Sequence, residues 1–282
     1  MKPGAMPVAW KLVGEMQMGK TLLAVMLAVA AIPASAGEVA AADAEASPRT
    51  CLVLGGGGAR GAAHIGLLKV LEREHVQVDC IVGTSMGAIV GGLYAAGYKA
   101  DEIEVVLTRI DWKDIFHDKP SRDTRSMRRK EDDLRWLGGI ELGLHEGKIA
   151  FPRGLVQGQK LSLLLRRLLL ATWETDKFDD LSIPFRAIAT DIVTGEKAVF
   201  SEGDLAVAIR ASMSVPGAFE PVRVDGQLLV DGGVVDNVPV DEARKLGAQR
   251  LIVSQVGTPL MGEDRLDSPV AITEEAWPGA LD

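Results

Sequence analysis

The sequence predicts an α/β protein built on a largely parallel sheet with helices on its faces. Three observations lead there. Short apolar runs alternate between residues 51 and 258 with stretches whose apolar residues recur at helical spacing. Glycine-rich turns follow the first two apolar runs directly, where a strand would end and a helix begin. Between two later runs, Asp225-Gly226 has the make-up of a tight hairpin turn. No repeat and no Pro/Ser-rich boundary interrupts residues 51–258, so one domain is expected.

Cys51 to Leu54 reads as the first strand. The helix after the glycine loop places Ile65, Leu67, Leu68 and Leu71 on one face. "VDCIVGTS" is the second strand, ending in a turn, and "MGAIVGGLYAAGY" is a small-residue helix. Asp101 is expected to cap "EIEVVLTRI". There follow a helix, "GQKLSLLLRRLLLATW", a strand, "IPFRAIATDI", a helix, "DLAVAIRASMS", and the hairpin "VRVDGQLLVDGG". "VDEARKLG" and "RLIVSQV" close the series as helix and strand. Residues 111–156 fit no such pattern, and a long irregular excursion of this kind is usually functional or mobile.

The chain of 282 residues is 47% hydrophobic and 25% charged, which marks a globular protein rather than a disordered one. Its formal charge of −8 lacks the basic footprint that nucleic-acid binding needs. Near the N-terminus, Lys11 and Lys20 precede the apolar run "TLLAVMLAVAAI", and "PASA" ends in small residues before Gly37. This is the layout of a secretory signal peptide over residues 1–36, with translation starting at Met1, Met16 or Met18 and cleavage after Ala36. A membrane anchor would need about 20 apolar residues, and this run is shorter. No cysteine stands directly after the cleavage site, which argues against a lipoprotein. Residues 37–49 read as a linker. Cys51 and Cys80 each open a strand; buried thiols are the plainer reading, and export would permit a disulfide.

The run "CLVLGGGGARG" raises the functional question. A strand, a glycine loop and a helix N-terminus together point unpaired amide hydrogens outward and form an anion site. It could cradle a nucleotide phosphate or the oxyanion of an ester under attack. "GTSMG", Gly83 to Gly87, follows the second strand and opens a helix, the context of a nucleophile elbow. A serine nucleophile needs a base. The four histidines are His64, His75, His117 and His145, and none follows residue 145, so a Ser-His-Asp triad in hydrolase order is poorly supported. His64 reads as a structural residue hydrogen-bonding locally. Asp231, at the end of the apolar strand "LLVDGG", is the other candidate; Asp-Gly pairs are commonly plain turns, but its place after a buried strand favours the base.

With these residues in hand, the chain resembles the bacterial patatin-like phospholipases over about residues 51–258. "GGGARG" at 56–61 matches that family's oxyanion loop, "GTSMG" its serine and "DGG" at 231–233 its aspartate. "RASMSVPGAFEPV" is similar to the block before that aspartate, and "RRKEDD" and "LVQGQKL" to segments of the bacterial branch. The resemblance implies a three-layer α/β/α fold and a Ser85–Asp231 dyad with no histidine, metal or cofactor. It makes the amides of Gly56, Gly57 and Gly58 donors to the oxyanion, each worth on the order of 3 kcal/mol of barrier. Gly61 completes that loop, Gly83 and Gly87 flank the elbow, and Gly232 and Gly233 complete the Asp-Gly-Gly. Arg60 would stabilise the loop or meet a phosphate headgroup. A dinucleotide site would want an acid ending the second strand, whereas Asp79 precedes it.

The implied organisation is a signal peptide (1–36), a linker (37–49), a patatin-like domain (50–258) and a C-terminal segment (259–282). The family's domain usually continues beyond such a point, so truncation stays open, and some exported members carry an outer-membrane barrel there. The expected function is an exported lipid acyl hydrolase of phospholipase A or lysophospholipase type, located in the periplasm, at the outer membrane or outside the cell. The alternatives are an esterase or thioesterase on other acyl groups, and a non-catalytic lipid-binding protein of the same fold. Expected partners are the lipid substrate and a membrane surface met peripherally; a homo-oligomer stays open and nucleic acid is excluded. Arg122, Arg125, Arg128, Arg129 and Lys130, with Trp136 behind them, suit an anionic interface, or else form a solvated loop paired with Asp123, Glu131, Asp132 and Asp133.

Overall fold

The computed structural model describes residues 48–115, 127, 143–145, 148–150 and 156–257. The leader, the linker up to residue 47 and residues 258–282 lie outside the described residues. So do His117, the basic residues 122, 125 and 128–130, and Trp136.

The described strands are β1 (Thr50–Leu54), β2 (Cys80–Thr84), β3 (Gly143–His145), β4 (Lys148–Ala150), β5 (Phe185–Asp191), β6 (Lys197–Phe200), β7 (Val222–Val224), β8 (Gln227–Asp231) and β9 (Arg250–Ser254). The helices are α1 (Ala63–Arg73), α2 (Met86–Ala95), α3 (Ala100–Arg109), α4 (Trp112–Ile115), α5 (Gln159–Leu168), α6 (Leu205–Ser212) and α7 (Val240–Lys245). Seven strands form one sheet in the order β7-β8-β5-β2-β1-β9, with β6 also on β5, while β3 and β4 pair separately. β9, β1, β2 and β5 run parallel. β6 and β8 run antiparallel to β5, and β7 to β8, so the sheet is mixed rather than parallel throughout.

Alternation along the strands divides the core. Leu52, Leu54, Ile81, Phe185 and Ala187 face one side, packed with Ile65, Leu68, Ile89, Leu93, Ile103, Leu161, Leu165 and Ile209 of α1, α2, α3, α5 and α6. Cys51, Val53, Cys80, Val82 and Ile188 face the other, covered by Ala243 of α7 and by Leu246 and Ala248 beyond it. The result is a three-layer α/β/α fold. Burying side chains of this size stabilises the fold by about 1.5–3 kcal/mol each.

Local chemistry explains the details. Asp225 and Gly226 take φ of 48° and 84°, the paired positive values of a tight hairpin turn between β7 and β8. Asp204 caps α6 by accepting from the amides of Ala206 and Val207. Asp101 does not cap α3. That helix starts two residues earlier, at Ala100, Lys99 is its N-cap, and the Glu102 carboxylate accepts from the Lys99 amide at 2.8 Å. Asp101 instead pairs with Lys69 at 2.8 Å. Cys51 and Cys80 stand opposite each other in the β1–β2 register with Cα atoms 4.6 Å apart, and they form a disulfide.

Candidate active site

The functional candidates collect where β1 and β2 end and β8 turns. β5 acts as the ruler: Ile188 stands opposite Thr84 of β2, and the next residue, Ala189, stands opposite Asp231 of β8. β5 therefore sets the end of β2, one residue before Ser85, and Asp231 at consecutive register positions on its two sides, although Ser85 and Asp231 are 146 positions apart in the chain.

Ser85 is the N-cap of α2, with φ 55° and ψ −122°. A non-glycine residue at positive φ is strained, and such strain persists only where surrounding structure fixes it. The fixing groups are visible. The Ser85 amide donates to Ser212 Oγ at 2.9 Å, and that hydroxyl donates to the Ile188 carbonyl at 2.5 Å. Helix and strand meet too closely here for side chains: a Cβ on Gly83 would lie 2.5 Å from the Gly87 carbonyl oxygen, and one on Gly87 would collide with the Leu54 carbonyl. Ser85 thus stands at the positive end of α2, where developing negative charge is favoured.

Asp231 ends β8 and is 1% exposed. Its amide donates to the Ser214 carbonyl at 2.9 Å, and its own carbonyl accepts from Thr190 Oγ1 at 3.0 Å. Oδ1 accepts from the Gly233 amide at 2.8 Å. Oδ2 is buried without a hydrogen bond of good geometry. Burial pushes the Asp231 carboxyl up to about 6, against the opposing pull of the Ser85 hydroxyl and the Gly233 amide. The Ser85 hydroxyl therefore lies near enough to favour the charged carboxylate, yet short of a formed hydrogen bond. Such contacts are often loose in a free site and tighten when substrate binds. Gly232 lets this turn press on β5, because a Cβ there would collide with the Ile188 carbonyl.

The glycine loop lies on the other side of Ser85. Gly56 is sandwiched: a Cβ on it would lie 2.6 Å from Asn237 Oδ1 and 2.9 Å from Ser85 Cβ. Its amide donates to Asn237 Oδ1 at 3.0 Å. This changes the expected donor set, because the Gly56 amide is already engaged. Gly57 and Gly58 have no protein acceptor for their amides among the described residues. Gly58 has φ 54° at the start of a 3-10 turn, Gly58–Ala62, and the Arg60 amide closes that turn on the Gly57 carbonyl at 3.2 Å. Gly61 is held against Met86, the first residue of α2.

His64 is fully buried, and its partners are not only local. Nε2 donates to the Gly55 carbonyl at 2.8 Å, which leaves Nδ1 to accept from Ser254 Oγ at 2.8 Å. Burial outweighs the Gly55 bond and pushes its pKa below the usual histidine value. Sequence reasoning singled out neither Asn237 nor Ser212. Each sits in an unremarkable context and meets its partner more than 120 positions away. Among the described residues no group of three or more His, Cys, Asp or Glu side chains could hold a metal ion.

A strained serine, a buried aspartate and an amide-presenting glycine loop lie together at this end of the sheet. Residues 52–244 match the family model described as patatin-like phospholipase. The chain belongs to the patatin-like phospholipase family. It is 37% identical over 209 residues to a patatin-like phospholipase domain-containing protein of Caenorhabditis elegans, covering 73% of this chain and 13% of that one. It is 35% identical over 194 residues to an NTE family protein of Mycobacterium tuberculosis (69% and 45%), and 34% identical over 207 residues to lysophospholipase NTE1 of Saccharomyces cerevisiae (73% and 11%). This patatin-like chain therefore spans less than half the length of these curated relatives. Among solved structures it is similar to VipD from Legionella pneumophila, with a TM-score of 0.43 and 16% identity over 68% of this chain and 47% of that one.

Proposed function

We propose that this patatin-like chain is an exported lipid acyl hydrolase of phospholipase A or lysophospholipase type, working through a Ser85–Asp231 dyad. The observation that carries the reading is the Asp231 carboxyl, sealed from solvent beside a strained Ser85 and poised near pH 6. A base is most useful when its pKa lies near the working pH.

The steps follow from the geometry. Ser85 Oγ attacks the acyl carbonyl carbon, and its proton passes to Asp231 Oδ2. The carbonyl oxygen becomes an oxyanion facing the Gly57 and Gly58 amides. The tetrahedral intermediate collapses, the C–O bond to the alcohol breaks, and the leaving alcohol takes the proton from Asp231. Water then attacks the acyl-enzyme, Asp231 accepts its proton, and Ser85 recovers a proton as the fatty acid leaves. His64 takes no part, since both ring nitrogens are engaged with Gly55 and Ser254.

Export is supported by the leader-like residues 11–36 and by the Cys51–Cys80 disulfide, because disulfides persist in oxidising compartments. Peripheral contact with an anionic membrane through residues 122–130 belongs to the same reading. The test is a panel of phospholipids, lysophospholipids and p-nitrophenyl esters assayed with wild type and Ser85→Ala. Hydrolysis of one lipid class that vanishes in Ser85→Ala is the expected result. Lipid binding without turnover in wild type would favour a non-catalytic binding protein. Cell fractionation with N-terminal sequencing checks export, with Gly37 expected as the first mature residue.

A further inference from the structure

We propose that Asn237 is the positioning residue of the glycine loop, locking Gly56 so that the Gly57 and Gly58 amides face the carbon attacked by Ser85. The inference rests on the Ser85–Asp231 reading above and adds a residue to it. Asn237 grips both polar groups of one glycine: Oδ1 accepts from the Gly56 amide at 3.0 Å, and Nδ2 donates to the Gly56 carbonyl at 3.4 Å. Rotation of either peptide flanking Gly56 would break one of these bonds, so the amides immediately downstream inherit a fixed direction. A glycine loop has little stiffness of its own, and catalytic donors work because they are already oriented when charge develops.

Asn237 is itself held firmly. Its predecessor Asp236 donates its amide to the Gly232 carbonyl at 2.8 Å and accepts at its own carbonyl from Thr84 Oγ1 at 3.1 Å. The Asp236 carboxylate binds Lys197 at 2.8 Å. The segment that carries Asn237 is thereby tied to the Asp231 turn, to the strand before Ser85 and to β6. On the other side, His64 fixes the Gly55 carbonyl. The loop is clamped at two consecutive residues by the side chains of His64 and Asn237. Asn237 also approaches the base: a Cβ on Gly233 would lie 3.2 Å from Asn237 Oδ1 and 3.1 Å from Asp231 Oδ1.

The test compares wild type, Asn237→Ala and Ser85→Ala on a short soluble p-nitrophenyl ester, with kcat and KM measured from pH 4.5 to 9. Asn237→Ala should lower the kcat plateau about 100-fold, with KM within about threefold. The acid limb should stay where wild type has it, because Asp231 keeps its surroundings. A plateau within threefold of wild type, or a loss caused by a displaced acid limb, overturns the proposal. Asn237→Asp keeps an acceptor for the Gly56 amide and is nearly isosteric, so it serves where Asn237→Ala does not fold. It loses the Nδ2 donor and sets a carboxylate oxygen against the Gly56 carbonyl, so its plateau should fall by about tenfold or more, and a plateau within threefold of wild type also overturns the proposal. Failure of the underlying reading has a different signature, since Ser85→Ala would then retain wild-type turnover.

Discussion

Asp231 and Glu242 stand eleven residues apart, both nearly sealed from solvent at 1% and 6% exposure, and the fold treats their carboxylates in opposite ways. Among the described residues one amide and one hydroxyl act on Asp231 and no cation does, so burial dominates and its pKa rises to about 6. Around Glu242 burial pushes the same way, but Lys197 at 2.8 Å and Lys245 at 2.7 Å outweigh it and hold the carboxyl below its usual value. Lys197 also binds Asp236 and Asp241, and these bonds overcome its own burial to hold the ammonium above the ordinary lysine range. The Glu242 cluster is built to stay ionised and to hold α7 against β6. The Asp231 site leaves its charge without a cation among the described residues. The difference separates a group that stabilises the fold from one whose ionisation costs it stability, as the proposed base would.

The largest expected effect breaks the reactive side. Ser85→Ala and Asp231→Asn should each lower kcat by roughly 1,000-fold or more, and the double variant should be no worse than the poorer single one, because residues acting as one unit give non-additive losses. Steady-state kinetics of the three variants check this.

Next comes stability, with opposite signs at the two sites. A carboxyl whose folded pKa is raised costs stability above that pKa and costs nothing below its unfolded value. Asp231→Asn should therefore stabilise the protein at pH 8, by at most about 3 kcal/mol, and the gain should vanish as pH falls from about 6 to about 4. Lys197→Met should destabilise at pH 8 by about 1–3 kcal/mol, since it strands Glu242 with Lys245 alone. Carboxyls with depressed pKa contribute above their unfolded values and lose that contribution as pH falls through the folded ones, so the Lys197→Met penalty should fade below about pH 4. Denaturant melts at pH 8, 6 and 4 separate the two cases.

The smallest effect concerns the Ser85 turn. Ser212→Ala removes the acceptor of the Ser85 amide and a donor to Ile188, and should lower kcat about tenfold while shifting stability by about 1 kcal/mol. Kinetics and melts on the same preparation check it.

Legibility in the sequence divides along a related line. The strand-turn-helix at Ser85 and the hairpin at Asp225-Gly226 are readable because their causes are local: small residues where backbones touch, and positive φ where Gly and Asp tolerate it. The raised Asp231 pKa is not readable, because it depends on how completely β5, β8 and α6 close over it. Asn237, Ser212 and Lys197 escape for the same reason, since their partners lie 24 to 181 positions away. β6 escapes because it is four residues long with mixed exposure and no clean alternation. The start of α3 is not legible because Asp101 looks like a cap, whereas the Glu102 side chain reaching back to Lys99 decides it. The Gly56 amide shows the limit within a motif: three glycines look equivalent in sequence, and one of them is already bound to Asn237.

The most direct test of Asp231 as a sealed, cation-free base is the pH dependence of kcat/KM on a soluble ester, measured in wild type and in His64→Gln. The account predicts a rise with one apparent pKa near 6 in both proteins, since His64→Gln lowers the plateau by loosening the Gly55 contact but leaves the base untouched. A limb that disappears or moves by more than about one pH unit in His64→Gln, or a wild-type limb near the ordinary aspartate value of about 4, would contradict it.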